Sequence, residues 1–312
     1  MISSGASVVE RVLGQWRPDC LLTVVGPTAS GKTALAVALS ERIGGEIVSA
    51  DSIQVYRHFD IGSGKPSREE LARAPHHLVS AMAPLEPIDA AGWSALATRA
   101  IADVRARGRI PVVCGGTFLW IKALLFGLAD APAGNAAMRE NFRRIAEIEG
   151  RAALHARLRA VDPASAERLH PNDFVRVSRA LEVYELTSKP MSDWQREHGF
   201  ASPRYASQLF GLAWQPAILA ERIRARTAGW LASGWIEEVE TLRERGFDDA
   251  RAMRSVGYAE VRAMLAGELP RHDLETAIVR ATRVFARRQA TWLNHVPVTW
   301  MDASRDAQDH PS

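Results

Sequence analysis

The chain of 312 residues has only two cysteines, Cys20 and Cys114, each inside an apolar run and with no Cys-x-x-Cys anywhere. That excludes a disulfide framework and argues against a cysteine-based zinc site. No stretch approaches the ~18 consecutive apolar residues that a membrane span needs. Glu10 and Arg11 interrupt the start of the chain where a signal peptide would be unbroken and apolar, so secretion is not expected and the cytoplasm is. Lysine is scarce as well: Lys32, Lys65, Lys122 and Lys189 are the only four, and the other 35 basic residues are arginines, giving a net charge of just +3. So small an excess does not by itself indicate a nucleic-acid partner; where the arginines lie has to decide. Acidic residues are absent from Thr276 to Met301.

The remaining composition, 47% hydrophobic and 24% charged, excludes a disordered chain. Length suggests two domains, or one large α/β domain with an insertion. Residues 20–25 (CLLTVV), 46–50 (EIVSA) and 110–114 (IPVVC) read as short buried strands, each followed by a helical segment, over 33–43, 93–107 and 117–127. Pro75, Pro84 and Pro87 mark the stretch after the second strand as mostly loop. Strands alternating with helices predict a parallel sheet covered on both faces. From 131 to about 200 no strand is expected. Met138, Phe142, Ile145 and Ile148 repeat at helical spacing, as do Leu154, Leu158 and Val161, and then Phe174, Val177, Leu181 and Tyr184. Residues 208–213 return to the sheet, and 296–300 (VPVTW) read as an edge strand where proline is tolerated. Helices fill 217–233, 235–245, 258–265 and 274–292.

Gly26-Pro27-Thr28-Ala29-Ser30-Gly31-Lys32-Thr33 fits G-x-x-x-x-G-K-[ST], after a buried strand and at the start of a helix. Backbone amides and the helix N-terminus cradle phosphate oxygens there. Lys32 supplies a charge, and the Thr33 hydroxyl suits Mg²⁺. The expected class is therefore α/β, a P-loop NTPase-like parallel sheet core (1–126 and 201–312) with an all-helical insertion (127–200). No Asn-Lys-x-Asp reads guanine. The second strand ends in Asp51, at the carboxyl edge where ligands bind. A helix cap, a metal-bound carboxylate and a general base are all open for it on this evidence.

The phosphate loop, Asp51-Ser52 with Tyr56, and Asp60-Ile-Gly-Ser-Gly-Lys-Pro66 together resemble the tRNA dimethylallyltransferase (tRNA isopentenyltransferase) family. The likeness continues through Ala74-Pro-His-His77, Gly108-Arg-Ile-Pro111, Gly115-Gly-Thr117, His170-Pro-Asn-Asp173 with Arg176 and Arg179–Glu182, Ser255-Val-Gly-Tyr258, and Arg287-Arg-Gln-Ala-Thr-Trp-Leu293. Gly64 and Asn294 depart from its common pattern. With no Cys/His module after Trp300, the resemblance is to the compact bacterial form.

The resemblance implies transfer of a dimethylallyl group from dimethylallyl pyrophosphate to the exocyclic amine of the adenosine 3′ of the anticodon, in tRNAs reading codons that begin with U. It makes the loop Gly26–Thr33 a pyrophosphate cradle and Mg²⁺ on Thr33 the cofactor. Asp51 becomes the base, with Thr28 assisting. The partners are the tRNA anticodon arm and the prenyl donor, with no membrane and a monomeric enzyme. Implied tRNA contacts are Asp51, Ser52, Ile53, Gln54 and Thr117 at the flipped base. Arg139 and Val175, Arg176, Val177, Ser178 and Arg179 belong to the insertion. Arg254, Ser255, Val256, Gly257 and Tyr258 follow, then Arg283, Arg287, Arg288 and Gln289.

Spacing alone puts Arg176 and Arg179 outward, opposite Phe174, Val177 and Leu181. It sets Arg280, Arg283 and Arg287 on one helix face, with Ile278, Phe285 and Trp292 on the buried one. A basic stripe without interleaved acids is the footprint of a phosphate backbone. The competing expectations are a P-loop kinase for a small metabolite, an adenylate isopentenyltransferase acting on a free nucleotide, and a non-catalytic RNA-binding protein.

Overall fold

The apolar runs lie side by side in one sheet of six parallel strands, ordered β3-β2-β4-β1-β5-β6. They are β1 (Leu21–Val25), β2 (Gly45–Ala50), β3 (His76–His77), β4 (Ile110–Gly115), β5 (Ser207–Ala213) and β6 (Val298–Asp302). The computed structural model describes residues 7–199, 202–294 and 296–303. All five residues of β1 are buried, which is why the strand is continuously apolar rather than alternating. Strands β2 to β4 lie to one side of β1 and β5 and β6 to the other. The carboxyl end of β1 therefore sits where the strand order reverses, the crevice in which ligands of such sheets bind.

Leu22, Val24, Val37, Leu39, Ile47, Val112 and Phe210 form the core between sheet and helix Lys32–Ile43. On helix Ala90–Ala106, Trp93 stacks on Trp120 at 5.1 Å between centroids and donates its Nε1–H to Ser49 O at 3.1 Å. That ties the end of β2 to the helix layer.

The structure adds elements that the pattern reading omits. His76–His77, placed in a loop above, is a two-residue edge strand, too short for any periodicity to reveal. It is held by Glu46, which meets His77 Nε2 at 2.7 Å and Arg107 Nη2 at 2.6 Å. The last strand begins at Val298, two residues later than expected, so Pro297 stays outside the ladder. Short helices Val8–Leu13 and Arg68–Arg73 are also additions, although each has a Ser-x-x-Glu capping box, Ser7 with Glu10 and Ser67 with Glu70. Among the described residues no helix is long and apolar enough to cross a membrane.

Two compact units are distinct: Met1–Leu125 with Tyr205–Ser312, and Phe126–Arg204. The second contains five helices and no strand among its described residues. Phe142, Leu154, Leu158, Val177, Ala180 and Leu181 are its core. Ile148, expected in the apolar stripe, is instead 83% exposed at the end of its helix.

The fully buried Glu182 carboxylate organises this unit. Arg139 Nε stands 3.2 Å from Oε1, Arg179 bonds Oε2, and the Asn135 amide donates to Oε1. This corrects three sequence expectations, those for Arg179, Val177 and Ser178. Arg179 turns inward, onto Glu182 and the Pro132 carbonyl, because a buried carboxylate without a cation is far costlier than an arginine drawn from solvent. Arg139 pairs with the same carboxylate while its side chain stays half exposed, so its expected role is not overturned. Val177 and Ser178 are buried in the core. Val175 and Arg176 remain exposed, Arg176 loosely paired with Asp173.

Burial by itself would raise the Glu182 pKa, but the bonds from Arg179 and Asn135 and the charge of Arg139 outweigh it and hold it below the usual carboxylate range. The stability it confers is thus complete above the unfolded value near ~4.3 and is lost as pH falls through the lower folded value. Glu182→Ala should cost about 3 kcal/mol, the low end for stranding one half of a buried pair. Urea denaturation at pH 7 measures it; a loss below about 1 kcal/mol would refute this role.

Candidate active site

The chain leaves β1 and wraps into the phosphate loop because its residues permit the turn. Gly31, at φ +90°, occupies left-handed space and opens helix Lys32–Ile43. The loop's outer surface is gripped by side chains from far along the sequence. Gln289 Oε1 accepts the Thr28 amide at 2.8 Å, while its Nε2 donates to Gly116 O at 2.9 Å. Trp214 Nε1 donates to Ser30 O at 2.7 Å, and Arg222 Nε to Ala29 O at 2.9 Å. Arg226 Nη2 donates to Thr28 Oγ1 at 2.7 Å.

Sequence reasoning misses Arg222 and Arg226. They lie one turn apart on helix Pro216–Ala232, and each guanidinium covers an indole, Arg222 over Trp214 at 4.5 Å and Arg226 over Trp230 at 4.4 Å. Arg226 Nε is buried and has no hydrogen-bond partner among the described residues. Burial pushes the Arg226 pKa down to about 10, with Asp51 opposing and Arg222 adding, so it stays cationic at neutral pH. The one sequence signal is the i, i+4, i+8 register of Arg222, Arg226 and Trp230; Arg224, between them, faces outward to Glu221. Burial likewise lowers Lys32, helped by Arg226 and opposed by Cys114 and Asp51. Among the described residues its Nζ makes a single long contact, 3.5 Å to Pro27 O.

Asp51 follows directly on β2. Its Oδ1 accepts the amides of Ile53 at 2.9 Å and Gln54 at 3.2 Å, a local turn that fixes the side chain. Oδ2 makes no hydrogen bond among the described residues. A narrow recess joins Asp51 to Lys32, Thr33, Ser49, Gln54, His76 and Cys114. The Thr33 hydroxyl has no partner among the described residues. Burial raises the Cys114 thiol to about 12, so it does not serve as a nucleophile. His76 donates Nδ1–H to Ala74 O at 2.8 Å, and burial lowers its pKa, leaving a neutral ring.

Thr117 Oγ1 accepts the Ser52 amide at 3.0 Å, placing Thr117 at the crevice as expected but bound to the Asp51 loop. Gln54 Nε2 donates to Gly64 O at 2.7 Å and Ser63 O at 3.3 Å, so its amide holds the loop rather than projecting free. Gly64 is no casual departure: it has φ +61°, and a Cβ there would stand 2.8 Å from Trp230.

Behind this loop, Glu238 accepts the amides of Asp60 at 2.8 Å and Ile61 at 2.7 Å, and the Tyr258 hydroxyl at 2.6 Å. Tyr258 is therefore a buried brace rather than an RNA contact, and Gly257 beside it is buried against Trp235. Ser255 bonds Ala252 O and is half-buried, as is Val256, while Arg254 is exposed.

On helix Leu274–Leu293 the buried face is Ile278, Thr282, Ala286, Gln289 and Leu293. Gln289 holds the phosphate loop, which corrects its placement among RNA contacts. Phe285, expected inside, is 40% exposed, and Trp292 is half-buried, stacked on Phe118. Arg280, Arg283, Arg287 and Arg288 are all exposed, and none has a partner among the described residues.

A P-loop α/β core with a carboxylate at the edge of the second strand and cations around an empty-handed lysine defines a protein that handles a phosphate ester. The profile of the IPP transferase family matches residues 54–296, and that of the isopentenyl transferases matches residues 20–79. The tRNA dimethylallyltransferase of Sorangium cellulosum is 59% identical over 284 residues, 91% of this chain and 90% of that one. That of Myxococcus xanthus is 48% identical over 91% of this chain and 92% of its own. The tRNA isopentenylpyrophosphate transferase of Bacillus halodurans superposes with a TM-score of 0.67 at 34% identity, covering 93% of this chain and 94% of that one. The chain belongs to the IPP transferase family.

Removing the Glu238 brace by Glu238→Ala should speed hydrogen exchange at the amides of Asp60 and Ile61 by roughly tenfold or more, as expected when a charge-assisted bond of about 1.5 kcal/mol is lost. Unchanged protection there would mean that the loop stands without it.

Proposed function

We propose that the protein transfers a dimethylallyl group from dimethylallyl pyrophosphate to the exocyclic amine of an adenosine in tRNA, at the position 3′ of the anticodon in tRNAs that read codons beginning with U. The observation that supports it is Asp51 anchored by one carboxylate oxygen, with the other free, in the same recess as Lys32 and Thr33 of the phosphate loop. A hydrolase or kinase needs a water or hydroxyl activated there; a prenyl transfer needs a group that orients an amine and takes its proton.

The loop amides and Lys32 hold the two phosphates. The amine nitrogen attacks the first prenyl carbon as that carbon's bond to oxygen breaks, and the electron pair leaves on pyrophosphate. Arg226, with its buried unpartnered Nε–H, and the Thr28 hydroxyl that it orients stabilise the charge growing on the leaving oxygen. Asp51 Oδ2 accepts the amine proton. The Thr33 hydroxyl offers a hard oxygen donor that suits Mg²⁺ beside a diphosphate, and Mg²⁺ bound there would add to charge neutralisation. The target adenosine leaves its stack to reach the recess, helped by its place in a single-stranded loop. Ser52 and Ile53 flank it. The enzyme works as a monomer in the cytoplasm.

Asp51→Asn should keep tRNA binding and lose about 10²–10⁴-fold in rate, the scale of a positioned base. The assay is label transfer from dimethylallyl pyrophosphate to unmodified tRNA. Activity within a few-fold of wild type removes Asp51 from the role. ATP bound tightly with no affinity for the prenyl donor would favour a kinase, and label appearing only on free nucleotide would remove tRNA as substrate.

The exposed arginines of helix Leu274–Leu293 provide the tRNA backbone contacts, together with Arg176 and Arg254. Replacing Arg283 and Arg287 with alanine should weaken tRNA binding and flatten its salt dependence by about 0.7–0.9 for each phosphate no longer neutralised. A rate at saturating tRNA that stays near wild type is also expected. An unchanged salt slope would make the stripe a solvated face.

A further inference from the structure

Helices Pro216–Ala232 and Leu274–Leu293 line, with the ends of β5 and β6, an open-mouthed cavity of about 370 Å³ behind the phosphate loop. It does not include Asp51, Thr33 or Lys32. Leu212, Leu219, Ile223, Ala290 and Trp300 make its walls, Pro27 of the phosphate loop closes one side, and Arg283 and Arg287 stand at the rim. We propose that this cavity binds a prenyl diphosphate longer than the five-carbon donor, its tail inside and its diphosphate on Arg283 and Arg287.

Three features select that chemistry. The walls offer no polar group to read a nucleobase edge: Trp214 lines the cavity, but its Nε1–H is already given to Ser30 O at 2.7 Å. A mostly apolar pocket of this kind takes an apolar group. At roughly 30 Å³ per heavy atom, the share of a water in the liquid, a five-carbon chain takes about 150 Å³ and leaves much of the pocket unfilled. At the rim, Arg283 and Arg287 lie one turn apart, exposed and without partners among the described residues. Two adjacent guanidinium forks suit the several oxygens of a diphosphate better than a single carboxylate.

The site touches the phosphate loop from behind, through Pro27 and through Trp214 on Ser30. It also takes two arginines from the proposed tRNA stripe. A bound longer prenyl diphosphate therefore competes with tRNA for Arg283 and Arg287 while leaving the catalytic recess open. Binding is read directly, so the inference stands or falls apart from the transfer reaction.

The test is isothermal titration of the intact protein with geranyl diphosphate, geraniol and dimethylallyl pyrophosphate. Ala290 is an exposed part of the wall, so Ala290→Trp fills the cavity from outside. It should weaken geranyl diphosphate at least tenfold and leave dimethylallyl pyrophosphate unchanged. Lys32→Ala should do the reverse, losing the short donor and keeping one equivalent of the long one. Geraniol, without the diphosphate, should bind at least tenfold more weakly than geranyl diphosphate. If Ala290→Trp fails to fold, as loss of both ligands would reveal, Arg283→Gln with Arg287→Gln takes its place, with the same tenfold loss expected. Geranyl diphosphate that vanishes with Lys32, that ignores both cavity variants, or that binds no better than geraniol overturns the proposal.

Discussion

The grip on the outside of the phosphate loop is the constraint from which the rest of the site follows. A loop that turns its amides inward toward an anion leaves its carbonyls facing out, and those need donors. Here those donors come from the last third of the chain, Trp214 for Ser30 and Arg222 for Ala29, and Gln289 from the same third accepts the Thr28 amide while donating to Gly116 O. The Gln289 bond to Thr28 spans 261 residues of sequence. The anion cradle is thus not complete in the first strand, turn and helix. It is preorganised only when the helices after β5 have docked, and the residues that brace it bring Arg226 to Thr28 at the same time.

The opposite wall obeys a similar logic with other groups. Asp51 Oδ1 is held by two amides of its own loop, Ser52 is held by Thr117, and Gln54 ties the loop to Gly64 and Ser63. Glu238 then fixes that segment from behind, with Tyr258 on its remaining oxygen. Each bond has a modest net worth, but their sum confines one carboxylate oxygen to a small region while the other stays free. A base must be within hydrogen-bond reach of its proton, so this fixing matters more than any change in its basicity.

Period and punctuation made most of the fold legible. Five of the six strands and the helical segment between β4 and β5 follow from apolar runs and their 3.6-residue repeats. The two-residue β3 escaped because two residues carry no period, and its pairing depends on Glu46 reaching His77 across the sheet. At the site, the glycine-rich motif and Asp51 were legible because their chemistry is local in sequence. Arg222 and Arg226 were not: they sit in a run, Glu221 to Arg226, whose charges look alike until the helix phase and Trp230 separate them. Phe285 and Trp292 failed for the converse reason. A helix gripped on one side by polar Thr282 and Gln289 buries those ahead of the larger aromatic residues, so hydrophobicity alone misplaced the inner face.

Arginine outnumbers lysine heavily, but composition alone does not name a partner, and the structure divides those residues by neighbour. Arg139 and Arg179 neutralise a buried glutamate, and Arg222 and Arg226 brace the phosphate loop against tryptophan faces. These four find partners within the fold whatever the protein binds. Arg280, Arg283, Arg287 and Arg288 differ because no carboxylate within their own helix turn answers them after Glu275, and each keeps its guanidinium in solvent. Keeping four like charges on one helix costs repulsion that folding does not repay, since none of them has a partner among the described residues. A ligand rich in phosphate removes that repulsion on binding. The residues that advertise an external anion are therefore those the fold leaves unanswered, and they are a small minority of the arginines.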